Sequence, residues 1–282
     1  MKRPSLLLCL AALLLLGGFA MRAANPVPDD EEDPYFLLCG QADKAIADGN
    51  FEEAAARLVD AMSIRPESSE NILLMSNLGM IYSFMGQDSL ALATLNEAHK
   101  LAPAMRIVRA NRARVLLKAG RDKEAMEDFG AVLEVDSLNL DARFYHGTIA
   151  LYSGQLDTAE KDFAVLASQD PDGTDTAIAL SALYALTQRN RQAIPYYERL
   201  IKAEPSAEYY AALAGCQLAE ERLSDASATL AEGLEQFPDD PELYYYRAML
   251  NRDRYILDQA HADADRAVKL GLNPVKAQEL FK

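Results

Sequence analysis

The chain has 282 residues, half of them hydrophobic, 8% aromatic and 25% charged, and a formal charge of −15 at pH 7. That composition supplies enough apolar side chain for a sizeable core, and its wealth of Ala and Leu favours helix. The acidity repels phosphate backbones and anionic lipid headgroups, which excludes nucleic acid and a lipid surface as natural partners and leaves protein.

Residues 1–24 read as a secretion signal. Lys2 and Arg3 give the positive start, Leu6 to Leu16 is an apolar run of eleven, and Gly18-Phe19-Ala20 offers small residues for cleavage. The run is short beside the ~20 residues a membrane-spanning helix needs. The mature chain is therefore expected to be exported, periplasmic or attached to the cell envelope, and to meet a membrane only through this segment. Retention as an anchor, with Arg22 as the stop, is the alternative. Bulky Leu8 and Leu38 precede Cys9 and Cys39, so neither cysteine has a lipidation context. Residues 25–34 follow with three prolines and the run Asp29 to Asp33, a solvated acidic leader. Cys39 and Cys216 lie too far apart in the chain's repeat order to meet, and they read as small buried hydrophobes.

From Tyr35 onward the pattern is helix, turn, helix, turn. Pro103, Ser137 in the same place, Pro171 and Pro205 follow one another at 34 residues; Pro66 precedes them and Pro238 follows at 33. A fixed period of this size marks a stack of like supersecondary units. Proline after the second helix forbids its continuation, and glycine at the turn between the helices takes positive φ without strain. Alanine recurs just past that turn, at Ala54, Ala91, Ala125, Ala159, Ala193, Ala226 and Ala260. A small residue there lets the two helices of a pair approach closely.

The segment Asn77-Leu78-Gly79-Met80-Ile81-Tyr82, with Gly86, Ala91, Ala98 and Pro103, resembles the tetratricopeptide repeat. Seven units fall in register: 35–68, 72–105, 106–139, 140–173, 174–207, 207–240 and 241–274, and residues 275–282 would begin a capping helix. The resemblance implies an all-α, right-handed superhelical solenoid of helix-turn-helix repeats. The chain departs from the signature at the turn glycine, where it has Gln188, Glu221 and Tyr255, and at the last proline, where it has Leu272.

Three units place a basic or imidazole side chain before the small residue of the first helix, at Arg112, His146 and Arg247. Sixteen residues later the same units carry Asp128, Asp162 and Asp263. The correlation predicts structural ion pairs between packed helices, Arg112 with Asp128 and Arg247 with Asp263.

No catalytic constellation emerges. There is no phosphate loop, dinucleotide fingerprint or metalloprotease histidine pair. His99, His146 and His261 fall in three different units and cannot converge on one metal. The chain is read as a non-enzyme with neither metal nor cofactor. In the family it resembles, first helices line a concave groove, which here implies a partner surface of Asn77, Met80, Phe84, Asn111, Arg114, Lys118, Phe144, Tyr145, Tyr152 and Tyr245. Aromatic anchors beside a basic island at Arg114 and Lys118 suit a peptide with an apolar residue and an acidic group. Some family members grip a C-terminal carboxylate with paired Lys and Asn; Cys39 and Asp43 stand where that pair would open, so the activity is not expected here. The resulting expectation is a non-catalytic scaffold or adaptor of the bacterial cell envelope that binds a peptide or protein segment. The alternatives are a chaperone-like holder of apolar segments and a self-assembling structural protein.

Overall fold

A computed structural model describes residues 33–282. The expected secretion signal and all of the acidic leader but its last two residues lie outside the described residues. Those described form fifteen α-helices and no strand. None of these helices is long and apolar enough to cross a membrane.

The described residues divide into two compact units, 33–152 and 153–282. In the first, α1 (Pro34–Ala47) pairs with α2 (Phe51–Ile64), α3 (Asn71–Phe84) with α4 (Asp88–Leu101), and α5 (Arg106–Lys118) with α6 (Asp122–Val135), and α7 (Leu140–Tyr152) packs on α6. The first helices α3 and α5 also touch each other. The second unit opens with α8 (Leu156–Gln169). It continues with the pairs α9 (Thr174–Leu186) and α10 (Asn190–Ala203), α11 (Ala207–Ala219) and α12 (Leu223–Gln236), α13 (Pro241–Asp253) and α14 (Leu257–Lys269). The six-residue α15 (Pro274–Glu279) lies against α14.

Local chemistry starts these helices where they start. Asp33 accepts from the Tyr35 amide at 2.9 Å, and Pro34 stands in the first turn of α1, where its missing N–H costs nothing. Asn50 accepts from the Glu53 amide at 3.3 Å and donates to the Glu53 carboxylate at 2.9 Å, a reciprocal cap for α2. Asp240, with Pro241 behind it, caps α13 by accepting from Leu243 at 3.0 Å.

Each turn within a pair needs one residue in the left-handed region. Gly49, Gly86, Gly120 and Gly154 supply it with φ between 72° and 80°, while Gln188, Glu221 and Tyr255 take φ of 58°, 57° and 61°. A side chain there pushes its Cβ against the next carbonyl at about 1–2 kcal/mol. Glu221→Gly is therefore expected to stabilise the fold by about 1 kcal/mol, net of the glycine's extra unfolded-state entropy. Gly86→Ala should destabilise: its Cβ would meet nothing within 4 Å, so any cost is purely conformational. Urea midpoints of the two variants against the parent check both signs.

All seven recurrent alanines are completely buried. Gly79 is tighter still, since a Cβ placed there would lie 2.5 Å from Leu95 Cγ. Phe129 and Phe163 are fully buried one turn beyond their alanines. Cys39 and Cys216 are free and buried, and burial pushes both thiols up to about 11. At the C-terminal end Leu280 is buried with Ala248, Ala264, Ala267 and Leu272, and Phe281 stacks on His261 at 3.9 Å between ring centres.

Candidate functional site

The expected groove of the first unit is largely interior. Asn77, Met80, Asn111, Phe144 and Tyr145 are 4–8% exposed, so they offer a partner almost no surface. The reason is the direct packing of successive first helices, which turns one side of each inward. Asn111 on α5 donates to the Ser76 hydroxyl on α3 at 2.9 Å. Tyr145 stacks on Phe129 at 5.2 Å with the rings 10° from parallel, and Phe144 meets Tyr145 edge-on. Phe84, half-buried, stacks on Phe51 of the preceding pair at 5.3 Å. Tyr152 is half-buried as well.

The basic island is spent internally. Arg114 is bound to the Asp141 carboxylate, donates to Asn111 Oδ1 at 2.9 Å and lies over the Tyr145 ring. Lys118 donates to Asp88 Oδ1 and to the Ser83 carbonyl, each at 2.7 Å. With both cations neutralised by their own chain, the expectation of an acidic ligand loses its charge.

The second unit has a different first-helix face. Asp175, Glu208 and Glu242 are each the second residue of their helices, α9, α11 and α13, so one carboxylate recurs per pair in the same register. A helix N-terminus favours an acid in its first turn. Glu242 is paired with Lys276 at 2.5 Å, but Asp175 and Glu208 have no ion pair among the described residues. One Asp175 oxygen is buried without a hydrogen-bond partner. Burial, helped by Asp170, holds the Asp175 carboxyl above the usual range; partial desolvation and Asp240 do the same for the more exposed Glu208. One and two turns further along, the half-buried stripe is apolar, with small residues alternating with large ones: Ile178 and Ala182 on α9, Ala212 and Gly215 on α11, Tyr245 and Met249 on α13. Tyr245 is half-buried, with the Lys276 ammonium 4.3 Å from its ring centre.

The inter-helix ion pairs are two-pronged. Arg112 on α5 reaches Asp128 on α6 through Nε at 2.6 Å and Nη2 at 2.8 Å, and Arg109 adds a third contact at 3.2 Å. The Asp128 side chain is 2% exposed. Arg247 on α13 holds Asp263 on α14 at 2.9 and 2.6 Å, and Asn251 donates to the same carboxylate at 2.9 Å. That hydrogen bond with Asp263 also raises the pKa of the Arg247 guanidinium. A planar guanidinium matches a carboxylate in this geometry, which an ammonium would not do.

Residues 74–105 match the family model described as tetratricopeptide repeat. A tetratricopeptide repeat protein from Parabacteroides merdae shares the fold at a TM-score of 0.64 and 20% identity, over 88% of this chain and 97% of that one. PilW, a type IV pilus biogenesis factor, superposes at 0.65 with 20% identity, over 74% and 96% of the two chains. YrrB does so at 0.55 with 18% identity, over 66% and 96%. The chain has the fold of a tetratricopeptide-repeat array, and residues 74–105 carry the repeat's sequence signature. No curated protein matches its sequence.

Within this tetratricopeptide array, sequence reasoning missed the partners that consume the basic island and the carboxylates of the second unit. A readable signal existed for both. Asp141, Asp175, Glu208 and Glu242 occupy the same place in four successive repeats, and the first of them faces Arg114. Arg109 was missed because it shares no register with Arg247, yet one helical turn brings it to the same carboxylate as Arg112.

Proposed function

We propose that this chain is a non-catalytic scaffold of the cell envelope that receives a basic, partly apolar protein segment on the first-helix face of its second unit. The observation that carries the reading is the carboxylate repeated on α9, α11 and α13, of which Asp175 and Glu208 lack a cation of their own. Beside them runs a half-buried apolar stripe, small at Ala182, Ala212 and Gly215 and aromatic at Tyr245, which suits the apolar side chains of an extended segment. Among the solved relatives, YrrB has a peptide-binding site and PilW serves pilus biogenesis, so the fold supports both peptide capture and envelope assembly. The non-catalytic reading is supported by the use of the buried charges: Asp128, Asp263 and Arg114 all serve contacts between helices.

The test is fluorescence anisotropy with a labelled peptide of alternating Lys and Leu, against its Glu-for-Lys counterpart. The basic peptide should bind, and the triple variant Asp175→Asn, Glu208→Gln, Glu242→Gln should weaken it about tenfold, or about 1.4 kcal/mol over three partly exposed charge contacts. The pH dependence has a defined sign. Asp175 and Glu208 have raised pKa values, and a cationic partner needs them ionised, so affinity should fall as pH drops through their raised range. Equal binding of both peptides, or preference for the acidic one, rejects the reading. Export is tested separately by the intact mass of the protein recovered from the cell envelope, which should begin at Met21.

A further inference from the structure

We infer that copies of this chain associate head to tail, the first helix of one copy seated on the last turn of the next. The inference does not depend on the peptide-binding face, which lies on other residues.

The last turn displays apolar side chains at a conformational cost. Tyr255 takes φ of 61° where four other turns use glycine, and its side chain makes no use of the fold, being 89% exposed. Ile256 and Leu257 follow it at 41% and 51% exposed. Gln188 and Glu221 occupy the equivalent strained position with polar side chains; only here does the position present an aromatic ring, and two more apolar residues extend it. A strained backbone that shows an aromatic ring to solvent points to contact with something outside the chain.

The first repeat of the chain supplies the matching surface. α1 exposes Phe36 and Leu37 at 50% and 57%, on the first helix of the first pair. The charges at the two ends are complementary. Residues 25–68 carry eleven acidic and three basic side chains, and five of the acids immediately precede Pro34. Residues 241–282 carry six acidic and seven basic ones, and Arg254, whose guanidinium donates to the Ser227 hydroxyl and the Leu223 carbonyl, immediately precedes Tyr255. In a chain of net charge −15 residues 241–282 are thus close to neutral, so they do not repel another copy's acidic, apolar beginning. Such a contact joins two different surfaces, so it leaves one of each free and can be repeated. The extreme C-terminus is not the docking element: Leu280 is buried and Phe281 is engaged by His261.

Sedimentation velocity on protein purified from expression of the full chain tests this with two variants. Tyr255→Gly removes the ring and relieves the strain, so its thermal midpoint should rise while its self-association constant falls about tenfold or more. Phe36→Ser with Leu37→Ser should lower self-association similarly from the other end. Each variant keeps one intact surface, and an equimolar mixture of the two should therefore form a dimer that neither forms alone and that grows no further. A parent that stays monomeric at its highest soluble concentration overturns the inference, as does undiminished association of the better-folded Tyr255→Gly protein. A mixture that forms no dimer overturns it as well: the contact would then join like ends, or each leader would fold back on its own chain.

Discussion

Asp128→Ala is expected to destabilise the first unit by about 3–5 kcal/mol, one of the two largest single-residue losses we foresee. Its carboxylate is nearly sealed from water and answers two guanidiniums, Arg112 through two hydrogen bonds and Arg109 through a third. Removing it leaves two partly buried cations between α5 and α6 with nothing to replace their hydration. The cost is that of uncompensated charge rather than the worth of the pair, and a second variant separates the two. Arg112→Leu combined with Asp128→Leu should recover most of the loss, because well-packed apolar side chains replace buried ion pairs at little net cost. Asp263→Ala makes the contrast. Its partner Arg247 is 38% exposed, so water screens the charge left behind and the loss should be nearer 1–2 kcal/mol. Urea unfolding of the four proteins checks the order; equal losses at Asp128 and Asp263 would show that burial does not govern these pairs.

The second large effect lies one residue along. Phe129→Ala should cost about 3–5 kcal/mol, since the ring is completely buried and its loss opens a cavity that α6 and α7 cannot close. The ring also stacks on Tyr145, so it joins one helix pair to the next as well as filling its own. Phe129→Leu keeps most of the volume and should cost under about 1.5 kcal/mol. In a repeat array a local defect need not unfold the whole chain. The informative measurement is hydrogen exchange followed by mass spectrometry of peptides within residues 106–152. Phe129→Ala should speed exchange there and leave peptides beyond residue 174 at their parental rates. Uniform acceleration along the chain would mean that it unfolds as one unit.

These two residues show why the fold was legible and the partner surface less so. The helix pairs follow from local rules acting every 34 residues: a proline that stops a helix, a residue at positive φ, an alanine small enough for close approach. Each rule concerns neighbours in sequence, and each survives single departures, as at Glu221 and Tyr255, where the turn forms without its glycine. The pairing of Arg112 with Asp128 was readable for the same reason, since both lie in one pair at a spacing that recurs at Arg247 and Asp263. The exposure of a first-helix residue depends instead on what the next pair places beside it. Arg114 looks like a free cation until Asp141, 27 residues on, is brought to it. Lys118 does so until Asp88, 30 residues back, closes on its ammonium. Helical periodicity finds the side of α5 that leaves α6; it does not separate surface left for a ligand from surface taken by α3 and α7.

Cys39 and Cys216, the two cysteines among the described residues, give the molecule one further property. One thiol lies in each compact unit, both are buried, and with their pKa pushed up to about 11 only on the order of one in ten thousand is ionised at neutral pH. Alkylating reagents attack the thiolate, so the folded chain resists them and mispairs little under oxidising conditions. A thiol that does become labelled records that its own unit has opened. The chain therefore carries two independent clocks for local unfolding, Cys39 for the first unit and Cys216 for the second, readable without any engineered probe.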